Sequence, residues 1–463
     1  MAAPAAPPEF SAATPAHGDA AGMPHSGCGS AAIWKSSSTG ALGHVFGFLQ
    51  LSERVQAAAV CRAFRQAVCD AFRSLSSLDT VSFGSRETAE SVCAWVKRAV
   101  FPWPQLTRLR VNLAVDAGAA YSEFILALPP DQLRAVSLHG LCRRSEVVEA
   151  LAERCEGLES LQFCLRGHQG HSVRFASLLT RCSALTQLDA TDCPFANDGL
   201  LRALAAAVAA ACPSLERLEL RGSPGVGADA MRALAASECS ASLTSLQVPA
   251  THIGDAGVAA MAAACPGLRQ LDLSSVRGLG DEGLAALAAA ECVPRLSLLG
   301  LGGMGAGVTA GGLASVVSRA IGLRTLKLPS NRFCVTDDVI RAAASSCTGL
   351  ASLNLRGCGS VSDAGLLALA TARHATLTSL ELEFCIGISD AGVEALAEHC
   401  MALEAVSLRA LVLAPISLAP VRALVERNTR LRSLIIGQAG DMATLQAFAA
   451  SLVAARPGLA VGW

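Results

Sequence analysis

Three groups of residues in this sequence have types and spacings that could support chemistry. The chain contains 18 cysteines, and cysteine thiolates can bind metals, form disulfides or act as nucleophiles. Cys164, His168 and His171 are spaced like metal ligands. The run Gly300-Leu-Gly302-Gly-Met-Gly305 matches the glycine pattern of a dinucleotide-binding loop.

Neither the metal-like group nor the glycine run is complete. Cys164, His168 and His171 have no obvious fourth ligand, and the chain contains no C-x-x-C pair. The glycine run lacks the acidic residue, about 20 positions further on, that would bind a ribose. The charged residues in that interval are Arg319 and Arg324. We therefore predict no metal site and no cofactor.

The cysteines follow a repeating register. Cys239 and Cys292 stand four residues before a leucine that begins an L-x-x-L motif. Helices that pack side by side lie about 8 to 10 Å apart, which exceeds the roughly 7 Å Cα separation that a disulfide allows. We therefore predict small buried core residues at these positions and at the six cysteines that stand three residues before such a leucine, which are Cys155, Cys182, Cys212, Cys265, Cys347 and Cys400.

The register of the cysteines is that of a leucine repeat. Alternating leucines predict a short strand with one buried face, and segments such as Asp363-Ala-Gly-Leu predict a helix start capped by the carboxylate. One unit cannot bury its apolar face alone, so the units must stack. The motif L-x-x-L-x-L, with other apolar residues substituting, begins at fourteen positions about 27 residues apart, which are Leu78, Leu106, Leu133, Leu158, Leu185, Leu215, Leu243, Leu268, Leu296, Leu323, Leu350, Leu377, Leu403 and Leu431.

The full pattern C-x-x-L-x-x-L-x-L-x-x-C, followed by D-A-G-L, occurs between Cys347 and Ala370. It resembles the cysteine-containing subclass of leucine-rich repeats, and the resemblance covers residue 78 to the C-terminus. It implies an α/β fold, a leucine-rich-repeat solenoid shaped as a horseshoe. Parallel strands would line its concave face and helices its convex face, and we place this solenoid of about 14 units over residues 76–463.

Residues 40–75 have the apolar periodicity of two amphipathic helices, and the second carries the run Val60-Cys61-Arg62-Ala63-Phe64-Arg65. This segment resembles an F-box, which implies a small all-α domain. Residues 1–39 are rich in Ala, Pro, Gly and Ser, and we predict a disordered tail. The resemblance implies binding to a Skp-type adaptor through Leu42, Val45, Phe46, Leu49, Val60 and Phe64.

The two resemblances together imply the substrate-recognition subunit of a Skp/cullin/F-box ubiquitin ligase. Such a subunit is not an enzyme, and it reaches the cullin and the RING protein through the adaptor. Intrinsic catalysis would require a separate catalytic domain, and the leucine repeats occupy the chain to its last residue. The alternative is a leucine-rich-repeat interaction scaffold whose N-terminal helices only cap the solenoid.

Strand alternation predicts the surface that binds the target protein, because side chains on either side of a buried leucine face the opposite way. On this basis the predicted substrate-binding residues lie on the concave face. They are Arg217, Glu219, Arg221, Asp272, Lys327, Asn354, Arg356, Glu381 and Glu383.

Charge and hydropathy restrict the partners further. The 37 Lys and Arg residues balance 38 Asp and Glu residues, which disfavours general binding to nucleic acid or to anionic membranes. No uninterrupted apolar run reaches the length of a membrane span. The sequence shows neither a signal-peptide pattern nor an N-glycosylation acceptor, so we expect a location in the cytoplasm or nucleus and an unidentified protein as substrate.

Overall fold

The architecture is one open sheet of fifteen parallel strands that runs through the chain in sequence order. It was obtained as a computed structural model. The structure describes residues 76–79, 89–90, 93–94, 105–112, 117–140, 146–165, 172–191, 212–373, 375–409, 417–437 and 442–462. Because each strand pairs with its neighbours in sequence, the sheet grows by one strand per repeat, which confirms the leucine-rich-repeat solenoid.

Most strands are three residues long, as expected for a motif with only two or three alternating leucines. The strands are β1 (Ser77–Asp79), β2 (Arg108–Asn112), β3 (Ala135–Gly140), β4 (Ser160–Leu165), β5 (Gln187–Asp189), β6 (Arg217–Glu219), β7 (Ser245–Gln247), β8 (Gln270–Asp272), β9 (Leu298–Gly300), β10 (Thr325–Lys327), β11 (Ser352–Asn354), β12 (Ser379–Glu381), β13 (Ala405–Ser407), β14 (Ser433–Ile435) and β15 (Ala460–Gly462).

Helices form the second layer, and, apart from α3 and α4, consecutive described helices pack against each other. The described helices are α1 (Gly118–Ala127), α2 (Glu146–Arg154), α3 (Ser172–Arg181), α4 (Ala228–Ala235), α5 (Gly254–Ala264), α6 (Asp281–Ala289), α7 (Ala310–Arg319), α8 (Asp337–Ser346), α9 (Asp363–Arg373), α10 (Asp390–His399), α11 (Leu418–Arg427) and α12 (Met442–Ala455). Short 3-10 turns at Glu238–Ser240 and Val293–Arg295 precede β7 and β9.

The strand register stacks the leucines into one continuous core. Leu353 lies between Leu326 and Leu380 of the adjacent strands, and all three are fully buried. At the first strand the predicted motif start is wrong by three residues. Leu78 pairs with Leu109, which is the second leucine of its motif, so Leu78 is also a second leucine. The pairing with β2 reveals this offset, because a motif that started at Leu78 would centre its strand on Val81, whereas β1 is centred on Leu78.

The Asp at each predicted helix start acts on the following unit and not only on its own helix. Asp337 is the first residue of α8, and its carboxylate accepts hydrogen bonds from the backbone N–H and the hydroxyl of Ser362, at 2.8 and 2.6 Å. The Asp363 carboxylate likewise accepts hydrogen bonds from the backbone N–H and the hydroxyl of Ser389, at 2.8 and 2.6 Å. Each carboxylate therefore links two repeats and satisfies an N–H group at the next helix start.

The Gly of the Asp-x-Gly motif makes room for that carboxylate. A Cβ at position 365 would overlap Asp337 Oδ1, and one at position 392 would lie 2.5 Å from Asp363 Oδ1. The unit of α7 has Ala310 in place of the Asp, and the following unit correspondingly has Val339 in place of the Gly. There the Thr336 hydroxyl, at the position of Ser362, is buried without a hydrogen-bond partner among the described residues.

The described register cysteines lie at helix ends in the core. Cys347 follows the last residue of α8 and is fully buried. Its thiol donates to the backbone carbonyl of Ala320 in the preceding unit, at 3.4 Å. The second cysteines of the motif, Cys358 and Cys385, donate to the carbonyls of Leu328 and Leu355 at 3.1 and 3.0 Å. These contacts agree with the predicted packing role.

The predicted tail (1–39) and F-box (40–75) lie outside the described residues, together with the six predicted adaptor-binding residues. Within the described part of the chain, no helix combines the length and the apolar character needed to cross a bilayer.

Candidate protein-binding surface

The sheet presents two rows of side chains on its concave face, one from the residue before each central leucine and one from the residue after it. In β6 these are Arg217, which is exposed, and Glu219, which is half-buried, while Leu218 between them is buried. Neighbouring strands lie about 4.8 Å apart. Each concave residue is therefore within reach of its counterparts in the adjacent units, and a shared surface forms.

The first polar network lies on β3 to β5. The Ser137 hydroxyl donates to Gln162 Oε1 at 2.7 Å, and Gln162 Nε2 donates to Asp189 Oδ2 at 2.7 Å. The other oxygen of Asp189 accepts from the Thr191 backbone N–H at 3.0 Å. These bonds hold the Asp189 carboxylate in one orientation, directly beside β6.

Glu219 continues this row and is an acid next to an acid, since Asp189 and Glu219 pair in the strand register. Burial, and then the charge of Asp189, raise the pKa of Glu219, while Arg217 and Arg221 oppose that shift. Gln247 Nε2 donates to Glu219 Oε1 at 3.5 Å. The predicted residues Arg217, Glu219 and Arg221 therefore form one charged cluster on the concave face.

Asp272 on β8 lies lower in the surface than sequence alternation predicts, with only 5% of the residue exposed. It leans across Gly300 of β9, where a Cβ would be 2.5 Å from Asp272 Oδ1. Oδ1 also accepts from the Ser274 backbone N–H at 3.0 Å. Gly300, the first glycine of the run that resembles a dinucleotide loop, thus provides space for a neighbouring carboxylate.

The remaining predicted residues lie on β10 to β12 and the turns that follow. Asn354 Nδ2 donates to Glu381 Oε2 at 2.6 Å, and Arg356 pairs with Glu383 at 3.3 Å. The Ser407 hydroxyl donates to Glu383 Oε1 at 2.9 Å. Lys327 is half-buried at the start of this group.

The predicted substrate-binding residues therefore fall into two groups on one face. Arg217, Glu219, Arg221 and Asp272 belong to β6 to β8, and the others belong to β10 to β12. Gly300 of β9 separates the two groups. Six strand spacings give a length of roughly 29 Å from β6 to β12, enough for an extended segment of about nine residues.

Two exposed aromatic residues on the rim of this surface were missed by the sequence prediction. Phe333 is 78% exposed and Phe384 is 42% exposed, and both lie in turns that connect a strand to the next helix. The signal for Phe384 is its position in the repeat, because the corresponding residue of the preceding unit is Gly357. The signal for Phe333 is a longer turn.

The described thiols do not form a reactive site, whereas His168, His171 and the side chain of Cys164 lie outside the part of the chain that the structure describes. Burial raises the pKa of the Cys347 and Cys385 thiols to about 11 and that of Cys358 to about 12, which leaves them protonated at neutral pH. Among the described residues, no group of three His, Cys, Asp or Glu side chains could hold a metal ion.

A comparison with protein families agrees with this repeat architecture. A family model described as Leucine Rich repeat matches residues 264–288, 346–370 and 373–397, which contain β8, β11 and β12 respectively. No curated protein matches the chain. A solved structure of the yeast Rad7 and Elc1 complex is similar to this chain with 14% sequence identity and a TM-score of 0.45, over 93% of this chain and 94% of that chain.

Proposed function

We propose that this chain is the target-binding subunit of a Skp/cullin/F-box ubiquitin ligase. A leucine-rich-repeat solenoid is a protein-interaction module, and its long polar surface suits that role. The ligase assignment rests on one observation, the run Val60-Cys61-Arg62-Ala63-Phe64-Arg65 within the F-box-like segment. A helical cap requires apolar helices but not this run.

In this proposal the chain performs no chemistry. The F-box-like segment binds a Skp-type adaptor, and the cullin with its RING protein brings the charged conjugating enzyme close to the bound target. Holding two reactants together raises their effective concentration, so the contribution of this chain is proximity and orientation.

The concave face supports the target-binding part of the proposal because its polar side chains are already ordered by one another. Gln162 holds Asp189, and Arg356 and Ser407 hold Glu383. A partner that binds these groups loses less side-chain entropy than it would on a surface of free side chains.

The second candidate function is an interaction scaffold without a ligase role. Ser37 and Ser38 stand where the F-box family has Leu-Pro, and Arg54 stands in place of a usual Leu. These departures bear on the affinity for the adaptor more than on the F-box resemblance, and in a chain that binds no adaptor the helices would only cap the first repeat.

A Phe46→Ala, Leu49→Ala double substitution tests the choice. Burying a large apolar side chain at an interface contributes about 1.5 to 3 kcal/mol, so the loss of two should weaken adaptor binding at least about tenfold. Affinity for a purified Skp-type adaptor can be measured by isothermal titration, with circular dichroism of the solenoid as a check on folding. Leu367→Ala is a matched control, because Leu367 is an exposed apolar residue on α9.

The wild-type chain decides between the candidates. Adaptor binding that the double substitution removes and Leu367→Ala leaves unchanged supports the ligase. A wild-type chain with no adaptor binding at micromolar concentration excludes the ligase and favours the scaffold.

A further inference from the structure

At the carboxyl ends of β10 to β12, the edge of the concave face carries both aromatic and cationic side chains. We define this basic-aromatic rim as Arg332, Phe333, Arg356, Phe384 and Ile386, which lie in three consecutive strand-to-helix turns. Phe333 is 78% exposed and Phe384 is 42% exposed, while Arg332 and Arg356 are also exposed. Large apolar groups in water are costly to hydrate, so two exposed rings on one rim indicate a surface that is covered by a partner.

The backbone conformation at Phe384 is unusual for its residue type. Phe384 has a φ of +59°, a region that bulky side chains avoid. The residues that occupy the same turn position and conformation in six other units are all small. They are Gly222, Ala250, Ser275, Gly303, Ser330 and Gly357.

Phe333 reaches the rim by a different route. Its turn, residues 328–336, is one residue longer than the turns 355–362 and 382–389. The extra length lies between the buried residues Asn331 and Val335, so Arg332, Phe333 and the partly buried Cys334 form the outer part of the loop. Two independent features, a longer loop and an unusual turn residue, thus bring aromatic rings to the same edge.

Each ring lies against a guanidinium group. The Arg332 guanidinium carbon is 5.5 Å from the ring centroid of Phe333, and that of Arg356 is 5.5 Å from the centroid of Phe384. This cation–π arrangement orients the arginines along the rim. Gly359 lies between the two Arg–Phe pairs. A Cβ added there would lie 3.4 Å from Arg332 Cγ and 3.2 Å from Ile386 Cγ1, so glycine leaves the surface between the two rings without a side chain.

The exposed charge of these turns is positive. The turns after β10, β11 and β12 contain three charged residues, Arg332, Arg356 and Glu383. The Glu383 side chain is only 13% exposed, because it is engaged by Arg356 and Ser407. No carboxylate of the described residues pairs with Arg332. A partner that covers the rim must therefore supply negative charge as well as apolar side chains.

We propose that the basic-aromatic rim is the docking point for an acidic, extended segment of the target protein, with apolar side chains against the two Phe rings and carboxylates on the two arginines. The proposal rests on the target-binding role given to the solenoid above and is independent of the adaptor. Two strand spacings place the rings roughly 10 Å apart along the solenoid. A polyproline II segment rises about 3.1 Å per residue, so apolar residues three positions apart match this distance.

The test uses the full chain and a fluorescein-labelled peptide that is rich in Glu and Pro and carries a Leu three residues before a Phe. Binding is measured by fluorescence anisotropy at low and high salt. Phe333→Ser and Phe384→Gly should each weaken binding about tenfold, and Arg332→Glu should do so at low salt. Phe384→Gly is a clean substitution because glycine suits the positive φ. Leu367→Ala is the matched control, because Leu367 is an exposed apolar residue on α9.

Several outcomes would overturn the proposal. They are an absence of peptide binding at millimolar concentration, equal binding of a peptide with Lys in place of Glu, and loss of binding with Leu367→Ala but not with the Phe substitutions. Phe-dependent binding to phosphatidylserine vesicles without peptide binding would assign the rim to a membrane instead. Adaptor affinity, measured on the same variants, should stay unchanged. The peptide measurement therefore tests the docking proposal, and the adaptor measurement separately tests the ligase assignment.

Discussion

Replacing Gly365 by Ala tests the contact that links neighbouring repeats. Gly365 is in the first turn of α9, and a Cβ there would overlap Asp337 Oδ1 of the preceding unit and lie 3.0 Å from its Cγ. In a helix, alanine is favoured over glycine by about 1 kcal/mol, whereas overpacking costs about 1 to 3 kcal/mol. We expect Gly365→Ala to lower the free energy of unfolding by about 1 kcal/mol.

The sign of this effect should reverse when the carboxylate is removed. Asp337→Ala alone loses the two hydrogen bonds to Ser362. Charge-assisted bonds contribute about 1.5 to 3 kcal/mol each when well buried. Since Asp337 is only half-buried, we expect a loss of about 2 kcal/mol for the pair. In that background the nearest remaining atom, the Cα of residue 337, is 3.5 Å from the new Cβ, and Gly365→Ala should then stabilise by about 1 kcal/mol.

The assay is a double-mutant cycle in urea, followed by far-ultraviolet circular dichroism, with hydrogen exchange to localise the change to the units of α8 and α9. The expected coupling energy between Asp337→Ala and Gly365→Ala is about 2 kcal/mol. Gly311→Ala is the control, because its nearest neighbour atom, Thr309 Oγ1, is 3.6 Å away, and it should stabilise. If Gly365→Ala has the same effect in both backgrounds, the steric explanation of the Asp-x-Gly motif is incorrect.

Two further predictions concern titratable groups. Thiol labelling of the native protein, followed by mass spectrometry, should modify Cys334 before Cys347. Cys334 is partly exposed, whereas burial raises the pKa of the Cys347 thiol to about 11. Labelling of Cys347 first would contradict the described packing. Glu219→Gln should increase the free energy of unfolding at pH 7 and have little effect at pH 4. Burial and the neighbouring Asp189 raise the pKa of Glu219, so the folded state binds the proton more tightly and stability is lost as pH rises above the ordinary carboxyl pKa. A stabilisation that is equal at both pH values, as judged by denaturation curves, would refute this.

The candidate surface was only partly predictable. Strand alternation correctly indicated that Arg217 and Arg356 are exposed beside buried leucines, because alternation is a local property of an extended chain. The burial of Asp272 was not predictable, since it depends on Gly300 in the next unit. The exposure of Phe333 depends likewise on a turn that is one residue longer than those that follow.

By itself the sequence determined the repeat, the order of strand and helix within it and the burial of the repeat leucines and register cysteines. Those features follow from spacing along one unit, so they can be read without knowing any neighbour. The tertiary structure alone decided which repeat each side chain acts on. The Asp337 carboxylate binds Ser362, and Gln162 binds Asp189, partners that are 25 and 27 residues away. Such contacts exist only once stacking sets the register between units, and a local pattern carries no information about that register.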